Sequence, residues 1–199
     1  MSTMTFTFAL LGTSVLLGWA LGGRLSNLMD RRLRWLALAP LGFALQSIPV
    51  RGATFAVGLL LGSFLILLVF GVANLHVPGI PLLCIGLSMN FAVVAMNGGM
   101  PVPRSAVIAS GQEATIPALQ HSAVKHHLAG SDDVLMPLAD VIAVGPPIHL
   151  LFSPGDLAAF AAMAWLVVAG MRRRYAPRHV ASRAGTDRIK LETVAADAV

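Results

Sequence analysis

Two aspartates in the second half of the chain, Asp140 and Asp156, are the side chains best suited to catalysis. If the fold brings them together, the two carboxylates would share a proton, so that one acts as an acid and the other as a base. Asp156 also has a structural interpretation. The run Ser153-Pro154-Gly155-Asp156 is typical of a helix start, with serine as the N-cap, proline next and an acid in the first turn. The sequence leaves both interpretations open.

A second candidate site is the histidine pair His126 and His127. Adjacent residues on a helix point about 100° apart, so the two rings would not share one metal ion. His121 is five and six residues away rather than four, and no His-Glu-x-x-His pattern occurs. The single cysteine, Cys84, excludes a cysteine metal cluster and an internal disulfide framework. We therefore predict neither a metal site nor a cofactor.

Amide side chains form a third group. Gly86, Asn90 and Asn97 are spaced four and then seven residues apart, which places them on one side of a helix. Amides in hydrocarbon are costly unless they are paired, so this side is expected to face other helices, with Gln46 as a plausible partner. The face either joins helices through hydrogen bonds or lines a polar pocket that opens outside the membrane.

The composition determines which elements must position these residues. Of the 199 residues, 56% are hydrophobic and only 12% are charged. Soluble domains average about 25% charged residues. The chain therefore has too little polar surface for a soluble globule, and we predict an all-α integral membrane bundle.

A helix needs about 20 apolar residues to cross a hydrocarbon core of about 30 Å. Reading for such runs predicts five transmembrane helices over residues 5–23, 35–50, 52–73, 77–97 and 153–171. Glycines four residues apart, Gly18 with Gly22 and Gly58 with Gly62, have the spacing of close helix contacts.

Basic residues set the predicted orientation, because cytoplasmic loops retain an excess of lysine and arginine. Four arginines lie between the first two spans, and seven basic residues follow Met171, whereas the opposite side has three. The N-terminus is therefore predicted to be extracytoplasmic, and the basic tail, residues 175–199, to be cytoplasmic and disordered. Residues 98–152, the connecting segment, would then be extracytoplasmic. This distribution explains the net charge of +5 without a nucleic-acid partner.

The connecting segment is too long for a bare loop, so we expect it to contain structure of its own. It opens after Asn97 with Gly98 and Gly99, which predict a sharp helix exit. An amphipathic helix resting in the membrane interface is predicted over Ile116 to Leu128, and a further helix start at Ser131. Residues 141–152 are apolar but broken by glycine and prolines. They would lie on the surface or dip a short way into the membrane.

Several short motifs together resemble a known family, and the run that closes the fourth span is the most specific of them. These motifs are Gly22-Gly23-Arg24-Leu25, Asn97-Gly98-Gly99-Met100-Pro101-Val102, Lys125-His126, Leu138-Ala139-Asp140-Val141-Ile142 and Ser153-Pro154-Gly155-Asp156. The chain resembles the domain-of-unknown-function family 5317, a group of small bacterial multi-pass membrane proteins. The resemblance implies a bacterial membrane protein whose distinctive polar residues face outward. It implies no activity, cofactor or catalytic residue.

Our leading prediction is a non-enzymatic module that binds a lipid headgroup, a small polar ligand or a partner protein at the extracytoplasmic face. Its expected partners are membrane lipids or a membrane or envelope protein. One alternative is a hydrolase of lipid-linked or envelope substrates that uses Asp140 and Asp156. Another is a small transporter or channel subunit, although no charged residue lies at mid-depth of a span. The binding candidates are Gln46, Asn90, Asn97, Gly98, Gly99, Lys125, His126, His127, Asp140 and Asp156.

Overall fold

The computed structural model describes residues 3–30, 32–50, 52–121 and 125–172, so the predicted tail lies outside the described residues. Most of this part of the chain is helical. The helices are α1 (Thr3–Ala20), α2 (Leu25–Met29), α3 (Leu38–Ser47), α4 (Ala53–Ala73), α5 (Ile80–Asn97), α6 (Arg104–Ala109), α7 (Ile116–His121) and α8 (Pro154–Arg172). The strands are β1 (Met100–Val102), β2 (His126–Leu128), β3 (Ile142–Val144) and β4 (Leu150–Phe152).

Three of the described helices, α4, α5 and α8, are long and apolar enough to cross a membrane. The helix α1 is apolar over the shorter stretch Thr5–Ala20. The second predicted span is helical only over the 10 residues of α3. At 1.5 Å per residue these reach about 15 Å, half of a hydrocarbon core. The membrane character is therefore supported, whereas the count of five spans is not confirmed.

The long helices form a row in the order α1, α8, α5, α4, α3, in which each packs on the next. Small residues make the central contact close. A Cβ on Gly86 of α5 would lie 2.5 Å from the carbonyl oxygen of Gly155 and 2.9 Å from the amide nitrogen of Ala159, both on α8. Backbones approach this closely only where side chains are minimal, as is common between membrane helices.

The two predicted glycine pairs contribute little to this row. A Cβ on Gly18 of α1 would press on the side chain of Met171 at the end of α8, so this glycine is in a helix contact. Around Gly22, Gly58 and Gly62 a Cβ would meet nothing within 4 Å. The close contact of α5 with α8 therefore involves Gly86, which belongs to neither of the predicted glycine pairs.

The connecting segment differs most from the prediction. Strands β1 and β2 pair in parallel, with Met100 opposite His126, and β3 pairs with β4 in an antiparallel hairpin. The predicted helix over Ile116 to Leu128 is wrong beyond His121, because His126–Leu128 is a strand whose backbone groups bond to β1. No helix starts at Ser131, which lies in a turn; the next element is a 3₁₀ turn at Met136–Leu138.

Candidate functional site

A cavity of about 410 Å³ lies over α5, with α3 and α4 on one side of it and α8 on the other. The connecting segment covers one end. The walls between the helices are apolar and include Phe43, Leu60, Phe64, Leu67, Leu83, Leu87, Phe160 and Met163. The covered end is polar and contains Gln46, Asn90, Lys125, His126, Asp140 and Asp156. One cavity thus joins an apolar compartment to a polar one.

The start of α8 forms one side of the polar end and confirms the predicted capping box. The Ser153 amide donates to Asp156 Oδ2 at 3.0 Å, and the Asp156 amide donates to Ser153 Oγ at 3.0 Å. Asn90 of α5 completes the network. Its Nδ2 donates to Asp156 Oδ1 at 2.7 Å, and its Oδ1 accepts from Ser153 Oγ at 2.8 Å. Asp156 Oδ1 therefore joins α8 to α5, whereas Oδ2 caps the start of α8 itself.

Asp140 lies opposite, just after the 3₁₀ turn, where its amide donates to the carbonyl of Pro101 at 3.3 Å. Only 10% of its side chain is exposed, and His126 Nε2 is 3.6 Å from Oδ2. That distance is too long for a hydrogen bond. Burial and the neighbouring charge of Asp156 raise the pKa of Asp140 to about 7. Near neutral pH this carboxyl is thus both a proton donor and a proton acceptor.

Strand β2 supplies the third side of the polar end. Lys125 Nζ donates to the main-chain carbonyl of Gln46 at the end of α3. His126 faces Asp140, and half of its side chain is exposed, because it borders the cavity. Partial burial at the edge of the cavity lowers the pKa of His126; Asp156 opposes the shift, and the charges of Lys125 and His127 add to it. The imidazole therefore favours its neutral form.

Four of the ten predicted binding residues do not border the cavity and instead form its frame. Gly98 ends α5 in the left-handed conformation, with φ of 65°. A Cβ on Gly99 would lie 3.2 Å from the carbonyl oxygen of Lys125 and 3.1 Å from His127 Nδ1. His127 pairs with Asp133 at 2.9 Å, on the other face of β2 from His126. These residues fix β1 beside β2 directly after α5.

Asn97 is the fourth frame residue. Its Nδ2 donates to the carbonyls of Val93 and Val134, both at 2.9 Å, and its Oδ1 accepts from the Val134 amide at 2.8 Å. The side chain thus ties the loop before Asp140 to the end of α5. Its predicted role in the polar face is replaced by this bridge, because α8 begins level with Asn90 and Asn97 lies two turns further along α5.

Replacing Asn97 with alanine is expected to loosen this loop without unfolding the helices. The Val134 amide would lose its acceptor, and an exposed hydrogen bond of this kind contributes about 0.5–1.5 kcal/mol. We expect hydrogen exchange at Val134 to accelerate several-fold, measured by mass spectrometry on the purified protein. Ser131→Ala, in the same loop, is the control. Exchange at Val134 that is as slow as in the wild type would contradict the bridge.

Sequence reasoning missed the apolar part of the site. Phe152 and Phe160 pack edge to face with ring centroids 5.4 Å apart, and Phe6 lies 5.0 Å from Phe152. Apolar residues within predicted spans carry no signal that distinguishes a cavity wall from a lipid-facing side. A usable signal was the small residue Gly86 one turn before Asn90, which marks where α5 approaches another helix.

The comparisons with known proteins identify the family and no activity. No curated protein and no solved structure matches the chain. A family model, described as a family of unknown function (DUF5317), matches residues 30–168. That match takes in α3, α4, α5, the whole connecting segment and most of α8, and therefore every residue of the polar end. The chain belongs to this family.

Proposed function

We propose that this protein binds a membrane lipid, with the headgroup in the polar end of the cavity and a hydrocarbon chain against its apolar walls. The observation that carries the proposal is the continuity of the two compartments. Leu60, Phe64 and Leu67 of α4 face Met163 of α8 along the same cavity that ends at Asp140. A ligand that fills both compartments has to be amphipathic.

The positions of the two compartments support a lipid over a water-soluble ligand. The apolar walls belong mainly to α4, α5 and α8, the helices that are long enough to cross a bilayer, and α3 adds Phe43. The polar end is built from the first turn of α8 and the connecting segment, together with Gln46 of α3 and Asn90 of α5. In a membrane this arrangement puts the polar groups at headgroup depth and the apolar walls beside the acyl chains.

The basic residues support an extracytoplasmic position for the polar end. Arg24 follows α1, and Arg172 ends α8. Both therefore lie at the opposite ends of these helices from Asp156, which is in the first turn of α8. The Arg24 amide donates to the Met171 carbonyl at 2.9 Å, which holds the two ends together. Because basic residues favour the cytoplasmic side, we infer that the N-terminus and the connecting segment are extracytoplasmic.

The geometry favours binding over hydrolysis by the aspartate pair. Hydrolysis with Asp156 as base would need a carboxylate lone pair directed at a water molecule in the cavity, and one of the two lone pairs on each oxygen is already used within the framework. In this structure Asp156 Oδ1 is bonded to Asn90 and Oδ2 to the Ser153 amide. We therefore assign Asp156 to the framework of the site, and we assign Asp140, which also lines the cavity, to contact with the ligand.

Filling the apolar compartment should remove the bound lipid. We expect the full chain, purified in mild detergent, to retain lipid in native mass spectrometry, and Leu60→Trp to reduce that occupancy about tenfold, since the indole would occupy the cavity. Leu65→Trp is the matched control, because Leu65 lies on the same helix, is 51% exposed and does not line the cavity.

Equal lipid occupancy in the wild type and Leu60→Trp would overturn the proposal, and so would a wild-type protein that retains no lipid. The melting temperatures of both variants are measured alongside. If Leu60→Trp fails to fold, Met163→Trp on the opposite wall replaces it in the same comparison.

A further inference from the structure

Asp140 is a buried acid whose carboxylate no described group satisfies. Its side chain is nine-tenths buried and borders the cavity. Among the described residues, no donor lies within hydrogen-bond distance of its oxygens; His126 Nε2 remains at 3.6 Å. Buried polar groups in proteins almost always have partners, so this exception points to a missing donor.

Two other aspartates, both partly buried, show what a satisfied carboxylate looks like here. Asp156 accepts from Asn90 and from the Ser153 amide. Asp133 accepts from the Gly130 amide at 2.8 Å and from His127 at 2.9 Å. The connecting segment thus provides donors to Asp133, whereas Asp140 is turned toward the cavity. A molecule in the cavity is the remaining source of a donor.

The charges at the polar end indicate what kind of donor is needed. Two carboxylates, Asp140 and Asp156, face the cavity together with one lysine, Lys125. Lys125 donates to the Gln46 carbonyl and makes no ion pair within 4 Å with either carboxylate. When Asp140 is ionised and His126 is neutral, the two carboxylates and Lys125 give the polar end a net charge of −1. A hydroxyl would supply a donor and leave this charge in place, whereas a protonated amine supplies donors and cancels it.

Building on the proposed function, we infer that the lipid bound in this cavity has a primary ammonium headgroup, whose N–H groups donate to the carboxylate of Asp140. A phospholipid of this class also contains a phosphate. Lys125 has two N–H groups besides the one bonded to Gln46, and these are available to that phosphate. A metal ion is a poorer fit, because the described residues contain no group of three histidine, cysteine, aspartate or glutamate side chains that could hold one.

Three phospholipids with identical acyl chains test the inference: phosphatidylethanolamine, phosphatidylcholine and phosphatidylglycerol. The second has a cation without N–H donors, and the third has hydroxyls without a cation. Each competes for the full chain in detergent, with occupancy read by native mass spectrometry. We expect phosphatidylethanolamine to be favoured about tenfold or more, the effect of a charge-assisted hydrogen bond. Asp140→Asn should bring the three lipids within about twofold of one another.

Asp132→Asn is the matched control, because it makes the same change in an exposed turn of the connecting segment and should keep the preference. Equal binding of the three lipids, or a preference for phosphatidylglycerol, overturns the ammonium inference while the lipid site stands. Loss of all lipid binding in the wild type overturns the proposed function instead. Free ethanolamine is a further arm: if it binds in an Asp140-dependent way and no lipid does, the ligand is a soluble amine, and both proposals fail as stated.

Discussion

Replacing Gly86 with leucine is expected to abolish the folded protein. A side chain at this position would meet the backbone of α8, with the Gly155 carbonyl oxygen at 2.5 Å and the Ala159 amide nitrogen at 2.9 Å from the new Cβ. The backbone of the first turns of α8 cannot yield as a flexible side chain can. Overpacking costs about 1–3 kcal/mol and occasionally more, and a clash between backbones belongs at the upper end of this range. The yield of monodisperse protein by size-exclusion chromatography measures the effect.

Gly62→Leu provides the control for that experiment. Gly62 is also a helical glycine in a long apolar helix, α4, and a Cβ there meets nothing within 4 Å. We expect this variant to elute and melt like the wild type. If Gly86→Leu gives a normal yield and melting temperature, the close crossing of α5 and α8 is not essential, and the network between Asn90 and Asp156 would need another support.

Replacing Asp140 with asparagine is expected to stabilise the ligand-free protein above neutral pH. The pKa of Asp140 is raised from 3.8 to about 7 in the folded chain. Between these values the folded state keeps the proton and the unfolded state releases it, so wild-type stability falls as pH rises and levels off above about 7. A shift of this size corresponds to on the order of 4 kcal/mol. Asparagine does not ionise, so the variant does not lose this stability as the pH rises.

Melting curves in detergent at pH 4 and pH 8 measure this effect. The melting temperatures of wild type and Asp140→Asn should be close at pH 4, and the variant should melt several degrees higher at pH 8. Asp132→Asn, in an exposed turn, should stay near the wild type at both values, as surface substitutions usually do. A gap between wild type and Asp140→Asn that is the same at both pH values would show that Asp140 is not the buried acid described here.

Local patterns in the sequence were sufficient where one helix end determines the structure. Serine, proline and an acid in the first turn predict the start of α8, and the bonds between Ser153 and Asp156 confirm it. The glycines after Asn97 predict the end of α5, and Gly98 adopts the left-handed conformation there. In both cases the partners are within a few residues of one another, so spacing alone contains the information.

The strands could not be read in the same way. Met100 pairs with His126, and three-residue strands are too short to show an alternating pattern. The stretch Ile116 to Leu128 has an apolar side at helical spacing, which led to the helix prediction. The partner strand β1, far away in the sequence, decides otherwise, because its backbone groups bond to those of β2. Non-local pairing of this kind leaves no local signal.

The candidate site was only partly predicted, because it too depends on contacts between distant parts of the chain. Asn90 and Asn97 do share a side of α5, as their spacing requires. Asn90 lies where α8 crosses α5 and is part of the site, whereas Asn97 lies two turns beyond the crossing and binds Val134. Hydropathy likewise shows that residues 35–50 are apolar, but it does not show that the helix covers only Leu38–Ser47.

Strand β1 begins at Met100, separated from the last residue of α5 only by Gly98 and Gly99, and the Met100 amide donates to the Lys125 carbonyl at 2.8 Å. This short connection fixes the position of Lys125 and His126 relative to the end of α5. Lys125 also donates to the Gln46 carbonyl, so the ends of α3 and α5 are joined through the same short sheet. A substitution that displaces the end of α5 is therefore expected to disturb the polar end of the cavity, even where the substituted residue does not line it.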